Sequence, residues 1–285
     1  MRNRNILVTG KNGYVSKEVV SFFKSKQKNI ESASIKNKEY LKIDFRKYDT
    51  VIHTAAIVHK RKVHYEEYYK VNVNLTRDIA TLAKQSGVRH FIFFSSMSVF
   101  GVDQGVINSN TPLNPTNDYG KSKLDAEKVL GNMEDENFKI TIIRAPMIYG
   151  FGCSGNYIKL SKISSKTFIF PNINNQRSMI HIENLNNFIF NIVEEEISGI
   201  FHPQNTKYVC TTDIYKKIRK SKKKKYILTS IFNMIIFKIM KKNNTVNKIF
   251  GDLVYDKKFS KVSFEYQTID FDQSIYKSEG ESCLE

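Results

Sequence analysis

The sequence has few cysteines and no long apolar run, and each shortage narrows the class of protein. Its 285 residues include three widely separated cysteines, Cys153, Cys210 and Cys283, without the spacing of metal ligands. We therefore expect reduced thiols and no metal site. No segment reaches the ~18 apolar residues of a membrane-spanning helix. The apolar run near the N-terminus is too short for a signal peptide, so we expect a cytoplasmic protein.

Acidic residues are scarce relative to basic ones, which gives a net charge of +17. Such a charge attracts phosphorylated small molecules, anionic membranes and nucleic acid. Eight of the ten residues 216–225 are basic. We interpret that run as a solvated surface and expect no nucleic-acid partner. The following residues, 226–242, are predicted to form a helix packed into the core, and peripheral membrane contact through 216–242 is the alternative.

Apolar runs alternate with helical patterns over the first 150 residues. This alternation predicts an α/β fold with a doubly wound parallel sheet. After Gly152 the pattern becomes irregular, which indicates a smaller lobe interleaved with the last elements of the sheet. The predicted strands lie within residues 5–9, 29–35, 49–59, 88–101 and 138–150.

A glycine-rich turn follows the first predicted strand, in the stretch TGKNGYVS. Gly10 and Gly13 let the backbone turn tightly and approach a pyrophosphate at the start of the next helix. Ser16 stands where a third glycine is usual. At the end of the second strand, Ser34 and then Lys36 replace the acidic residue that commonly binds the adenosine ribose. The turn therefore indicates a dinucleotide, with NADP left open beside NAD.

The third predicted strand ends in small residues. Ala55 and Ala56 would let a flat cofactor pass close to the backbone. His53 and His59 are lone histidines of this stretch, for which we expect structural roles.

Tyr119 and Lys123 lie four residues apart on a predicted helix within 114–131, so they project from one face. An ammonium group beside a phenol is expected to lower its pKa. Such a tyrosine suits the removal of a proton from an alcohol while a hydride leaves the same carbon. Ser96 and Ser98 follow a buried strand, at the sheet edge where ligands bind.

Taken together, the motifs resemble the extended short-chain dehydrogenase/reductase family, and within it the NAD-dependent epimerases and dehydratases of nucleotide sugars. The resemblance implies a Rossmann-type fold with bound NAD, or NADP, and a C-terminal lobe that grips a nucleotide diphosphate. We accordingly predict an NAD(P)-binding domain at 1–152, completed by about 177–205, and a substrate-binding lobe at 153–176 and 206–285. The motifs occur in the family's order: TGKNGYVS, VIHTAA, FSSMSVFG, YGKSK, RAPMIYG, RSMIHIENL and GDLVYD.

The resemblance also implies roles for single residues. Tyr119 corresponds to the catalytic base, Lys123 to its partner on the nicotinamide ribose, and Ser96 to the serine that hydrogen-bonds the reacting group. The expected cofactor-binding residues are Gly10, Gly13, Tyr14, Val15, Ala55, Ala56, Tyr119 and Lys123. The expected substrate-binding residues are Ser98, Asn156, Arg177 and Asp252, with Arg177 pairing with the diphosphate because its guanidinium can bind bidentately.

Two departures from the family's motifs narrow the expected activity. Met97 and Ser98 replace the Asp-Glu pair of the 4,6-dehydratases, so we expect no dehydration. Met147 replaces an asparagine that contacts the sugar, so the sugar cannot be assigned by analogy.

We expect a C4 epimerase of UDP-hexoses or UDP-N-acetylhexosamines in surface polysaccharide biosynthesis, working through a transient 4-keto sugar and similar to bacterial UDP-glucose 4-epimerases. An NAD(P)H-dependent 4-ketoreductase of a UDP-deoxysugar is the alternative, and a non-catalytic NAD(P)-binding regulator is a third interpretation. The nucleotide sugar is the expected partner, and a homodimer is left open.

Overall fold

The computed structural model describes residues 4–58 and 64–280. His59 and Cys283 lie outside the described residues. Cys153 and Cys210 are free thiols. The chain divides into two compact units. The first contains the described residues of Met1–Gly101, Pro112–Ala145 and Asn186–Pro203, and the second those of Val102–Thr111, Pro146–Leu185 and Gln204–Glu285.

The first unit is built on a six-stranded sheet in which every pairing is parallel. The spatial order is β10-β6-β4-β3-β1-β2, so the chain runs from β1 to one side and then returns to the other. This order confirms the predicted doubly wound, Rossmann-type sheet. The strands are β1 (Asn5–Thr9), β2 (Asn29–Ala33), β3 (Thr50–His53), β4 (His90–Ser96), β6 (Lys139–Ala145) and β10 (Gly199–Phe201), with β5 (Gly105–Ile107) falling in the second unit.

The central strands are continuous apolar runs because both faces of the sheet are covered. One core cluster contains Leu7, Val51 and Phe91, which lie opposite one another on neighbouring strands. The same cluster includes residues of α3 and α4. On the opposite face α1 packs near α6, with the rings of Phe23 and Phe190 centred 5.5 Å apart. The helices are α1 (Tyr14–Ser25), α2 (Tyr65–Tyr68), α3 (Leu75–Gln85), α4 (Asp118–Gly131) and α6 (Ile182–Glu195), the last belonging to this unit from Asn186 onward, with α5 (Asn156–Lys166) in the second unit.

The second unit contains short parallel strand pairs and the remaining helices. β7 pairs with β9, β8 with β11, and β5 with β12. None of the helices among the described residues is both long enough and apolar enough to span a bilayer. The elements are β7 (Met147–Tyr149), β8 (Ile169–Pro171), β9 (Met179–His181), β11 (Ile227–Thr229), β12 (Leu253–Tyr255), α7 (Thr211–Ser221), α8 (Asn233–Met240), α9 (Asn244–Phe250) and α10 (Phe271–Ser278).

Three predictions about these elements are wrong. The run 138–150 is not one strand but forms β6 and β7 in different sheets, divided at Pro146, which has no amide hydrogen to donate to a ladder. The third strand ends at His53, because residues 54–58 leave the ladder at the sheet edge, whereas the pattern predicts strand over 49–59. The segment 226–242 is not one core-packed helix. It forms β11 and then α8, and no residue of α8 is buried.

Candidate active site

Gly10 lies between the ends of β1 and β3, where the strand order of the sheet reverses. Its φ is +99°, and a Cβ built on it would stand 2.9 Å from Thr54 Oγ1 and 3.0 Å from the Ala55 amide nitrogen. Only glycine satisfies both the backbone conformation and this close approach. Ligands of open α/β sheets bind at such a reversal, so Gly10 and Ala55 lie where a dinucleotide is expected.

The start of α1 offers backbone amides without competing side chains. Gly13 is the N-cap residue and provides no side-chain cap, and the first turn, which begins with Tyr14 and Val15, holds no acidic residue. Ser16 is fully buried, which agrees with a small residue being needed at this position. An uncapped helix N-terminus attracts anions, so these residues fit the diphosphate of a dinucleotide.

The ends of β2 and β3 complete this edge. The Ala33 carbonyl accepts hydrogen bonds from the amides of Gly10 and Lys11, at 3.1 and 3.3 Å. Ala56 follows β3 and is half-buried. His53 has the expected structural role, because its ring nitrogens contact the hydroxyls of two buried threonines at 2.7 and 3.0 Å.

Ser96, Ser98 and Tyr119 come together where β4 meets the start of α4. The Ser98 hydroxyl donates to Ser96 Oγ at 2.9 Å, and Ser96 also forms a hydrogen bond with the Tyr119 phenol. The approach is close because Gly120 follows Tyr119. A Cβ on Gly120 would stand 2.6 Å from the carbonyl oxygen of Ser98. Asn117 caps the helix by accepting a hydrogen bond from the Gly120 amide at 2.9 Å.

Lys123 lies one turn further along α4 and is only 2% exposed. Its ammonium nitrogen donates to the Phe94 carbonyl oxygen at 2.7 Å and lies 4.5 Å from the centre of the Phe93 ring. Burial lowers the pKa of Lys123 to about 7, and the nearby carboxylate of Glu127 acts in the opposite direction.

The prediction that Lys123 lowers the pKa of Tyr119 is wrong. Burial raises the pKa of Tyr119 to about 12, and the hydrogen bond with Ser96 only partly opposes this effect. The physical reason is desolvation, which disfavours the charged form of both groups. The two shifts together keep Tyr119 neutral and bring Lys123 close to losing its proton near pH 7.

The structure adds a buried ion pair that the sequence analysis did not identify. Glu127, one turn after Lys123, accepts hydrogen bonds from the Arg144 guanidinium, the shortest at 2.7 Å, and one from the Ser95 hydroxyl. The i+4 spacing from Lys123 to Glu127 was visible in the sequence. Arg144 comes from β6, seventeen residues away, and no local pattern indicates that pairing.

Asn72 is a second residue that the sequence did not single out. It lies in a π-helical segment, Tyr69–Asn74, and is fully buried. Its side-chain oxygen accepts from the Ile57 amide at 2.8 Å, and its nitrogen donates to Ser122 Oγ at 2.9 Å. Asn72 thereby fixes the loop after β3 to the helix that carries Lys123, in keeping with the frequent occurrence of π-helical turns at functional sites.

Two of the expected substrate-binding residues, Arg177 and Asp252, lie side by side in the second unit. Arg177 is half-buried, and its guanidinium donates to the Gly251 carbonyl oxygen at 2.9 Å. Burial lowers the pKa of Arg177, which Asp252 opposes. Asp252 is exposed and accepts a hydrogen bond from the Gln176 amide at 2.6 Å.

Asp252 also lines a cavity of about 430 Å³ within the second unit. Its walls include Asn172, Asn174, Asn175, Phe237 and Met240. Asn156, by contrast, is the exposed first residue of α5 and does not line this cavity. The structure thus groups Ser96, Ser98, Tyr119 and Lys123 in the first unit, and pairs Arg177 with Asp252 in the second.

Comparisons with known proteins place the chain in a family. Residues 6–201 match the model of the NAD-dependent epimerase/dehydratase family. An N-acetylglucosaminyl-diphospho-undecaprenol 4-epimerase of Escherichia coli is 30% identical over 207 residues, which cover 66% of this chain and 62% of that protein. A UDP-glucose 4-epimerase of Vibrio cholerae is 29% identical, and the match covers 67% of each chain. The chain therefore spans about two thirds of the length of these relatives.

Among solved structures, a UDP-glucuronic acid 4-epimerase from Bacillus cereus in complex with NAD has the same fold. Its TM-score is 0.74, at 18% identity, and the match covers 97% of both chains. The family is defined as NAD-dependent, which confirms the expected cofactor, NAD. The chain belongs to the NAD-dependent epimerase/dehydratase family.

Proposed function

We propose that the protein is a C4 epimerase of a diphosphate-linked hexose or N-acetylhexosamine, with the UDP-sugar as substrate, in surface polysaccharide biosynthesis. The observation that carries the proposal is the Ser96–Tyr119 hydrogen bond, with Lys123 buried one turn along the same helix. The two relatives named as 4-epimerases support the same reaction.

In this reaction NAD, when bound, supplies the acceptor and later the donor of a hydride. Tyr119 takes the proton of the C4 hydroxyl as the C–H bond breaks, so that a 4-keto sugar forms. Ser96 donates a hydrogen bond to the same oxygen and keeps it beside the phenol. The 4-keto sugar then rotates so that the opposite face of its C4 carbonyl is presented. Tyr119 returns the proton to the C4 oxygen while hydride is delivered to that face. No cofactor is consumed, and the product differs only at C4.

This role requires that Tyr119 first lose its own proton, because burial keeps the phenol neutral near pH 7. With the pKa of Lys123 near 7 and that of Tyr119 near 12, the pair has lost one proton across that whole range. Transfer of the remaining proton from Tyr119 to Lys123 produces the phenolate that acts as base, without a change in total charge. Activity is expected to rise as the pH increases through about 7.

A 4-ketoreductase of a UDP-deoxysugar is the second candidate. The end of β2 favours it, because Ser34 and Lys36 stand where an acidic residue selects NAD over NADP. The same Ser96, Tyr119 and Lys123 would serve, with NAD(P)H consumed.

The test incubates the pure protein with UDP-glucose, UDP-N-acetylglucosamine and a 4-keto UDP-sugar. Sugar stereochemistry is followed by NMR and the cofactor by absorbance. An epimerase inverts C4 without net use of cofactor, whereas stoichiometric oxidation of NAD(P)H by the keto sugar would establish the reductase. Because the Escherichia coli relative is named for a polyprenyl diphosphate sugar, that substrate is included as a separate arm.

Tyr119→Phe is expected to lower turnover by ~10²-fold or more, because the phenol oxygen is the acid–base group. Tyr69→Phe is the matched control, since Tyr69 is an exposed tyrosine of the same unit outside the site. Equal turnover of Tyr119→Phe and wild type would remove Tyr119 from the mechanism.

A further inference from the structure

The segment 214–251 has a high density of positive charge. It contains twelve Lys or Arg residues and no Asp or Glu, against a net charge of +17 for the whole chain. Nothing in the proposed sugar chemistry requires this asymmetry. A block of one sign at this density indicates an electrostatic partner of the opposite sign.

The apolar residues in the middle of this segment are exposed. In α8 and the turn before it, Ile231, Met234 and Ile235 are 81%, 73% and 57% exposed. Phe232, Phe237 and Ile239 are each more than two fifths exposed. Contiguous exposed apolar side chains of this size mark an interaction surface, because isolated ones are common and clusters are not.

Neighbouring strands extend the surface. β11 pairs with β8 in parallel, with Ile227 opposite Ile169. Both isoleucines are about half exposed, as is Phe168, whose carbonyl oxygen accepts a hydrogen bond from the Ile227 amide at 2.9 Å. We call the exposed apolar residues of 168–169, 227 and 231–239 the α8 face.

Lysines flank the α8 face on both sides along the chain. Lys223 and Lys225 precede it, Lys241 and Lys242 follow it, and Lys238 lies within α8. All five are exposed, and no carboxylate of the described residues forms an ion pair with them. Lys216, Lys217 and Lys222 of the same basic segment do pair with carboxylates. These five lysines beside the apolar residues thus have no carboxylate partner among the described residues.

We propose that the α8 face and its flanking lysines dock the protein onto the surface of an anionic lipid bilayer. The apolar side chains enter the boundary between headgroups and acyl chains, with α8 parallel to the membrane plane. The lysines keep their ammonium groups among the lipid phosphates while their alkyl stems lie along the apolar layer. At eight residues α8 is far too short to span a bilayer, so the contact is peripheral.

Charge decides between this occupant and a second copy of the chain. A second copy would bring a lysine-rich surface of the same sign against the first, and like charges across an interface are unfavourable. An anionic bilayer supplies both the apolar layer and the negative charge.

The test is co-sedimentation of the full chain with vesicles of phosphatidylcholine alone and of phosphatidylcholine mixed with phosphatidylglycerol. Binding is expected only to the anionic vesicles, and to fall as salt is raised from 0.1 to 1 M, where the Debye length shortens from ~10 to ~3 Å. Replacing Lys223, Lys241 and Lys242 by Gln should weaken binding by ~10²-fold. Replacing Lys24, Lys42 and Lys261, which are exposed lysines elsewhere, should weaken it far less.

The apolar contribution is tested separately. Met234→Gln with Ile235→Gln should lower vesicle binding by about tenfold or more, because both side chains would otherwise enter the apolar layer. Leu41→Gln with Val106→Gln is the matched control, since these exposed apolar residues lie outside the α8 face. All readouts are of binding, so they do not depend on the proposed catalytic activity.

Three results would overturn the proposal: no binding of wild type to anionic vesicles, equal loss in both apolar double variants, or occupation of the face by a second copy. In the last case, sedimentation velocity without lipid would show a dimer that Met234→Gln with Ile235→Gln converts to a monomer. A monomer that binds anionic vesicles and loses binding in the α8 variants would support it.

Discussion

The ion pair beneath the candidate site offers the sharpest test of how the fold supports the chemistry. Glu127 and Arg144 are both less than a tenth exposed, and the Glu127 carboxylate also accepts the Ser95 hydroxyl. In Glu127→Gln the guanidinium remains buried without a negative partner. Breaking a buried pair from one side typically costs ~3–5 kcal/mol, so we expect the free energy of unfolding to fall by about 3 kcal/mol or more.

The same substitution should move the pH dependence of activity. The Glu127 carboxylate raises the pKa of Lys123 against the effect of burial, because a negative charge stabilises the ammonium form. Its removal lowers the pKa of Lys123. If turnover rises as the Tyr119–Lys123 pair loses its first proton, the acid limb of the profile shifts to lower pH. A purely structural role for Glu127 would reduce active protein without moving that limb.

The control is Glu183→Gln, which breaks the Lys277–Glu183 pair at 2.8 Å in the second unit. These side chains are 55% and 38% exposed, and exposed pairs contribute only ~0.2–1 kcal/mol. Urea unfolding of both variants measures the two losses of stability. The pH–rate profiles of wild type and Glu127→Gln measure the shift of the acid limb. Equal losses of stability in the two variants, or an unshifted acid limb, would refute the reasoning.

The sheet could be predicted because its signals are local. The apolar runs of β1, β4 and β6 and the glycine turn after β1 each depend on neighbouring residues alone. The family resemblance identified Ser96, Tyr119 and Lys123, and the structure brings Ser96 and Tyr119 into hydrogen-bond contact. Their catalytic roles stay predictions.

What the sequence could not predict depends on burial and on distant partners. The pKa of Tyr119 changes in the direction opposite to the one expected, because desolvation outweighs the hydrogen bond with Ser96 that would lower it. The Glu127–Arg144 pair joins a helix to a strand whose adjacency is a property of the sheet order. Residues 226–242 show the same limit. Their apolar composition predicts a buried helix, but composition alone does not show whether the protein's own core or an external partner covers these side chains.

Two glycine pairs provide the remaining predictions. Gly120→Ala places a Cβ 2.6 Å from the Ser98 carbonyl oxygen and should lower both stability and turnover. A Cβ on Gly131, at the end of the same helix, meets no atom within 4 Å, so Gly131→Ala should be neutral or stabilising by up to ~1 kcal/mol. Thermal unfolding and turnover measurements on both variants check this difference. Gly10→Ala and Gly87→Ala both place a Cβ at positive φ, which costs ~1–3 kcal/mol. Only the Cβ at position 10 meets neighbouring atoms, at the edge where the dinucleotide is expected. Titration calorimetry should therefore show weaker NAD binding for Gly10→Ala and unchanged binding for Gly87→Ala. Equal NAD affinity in both variants would mean that the diphosphate does not approach the backbone at Gly10.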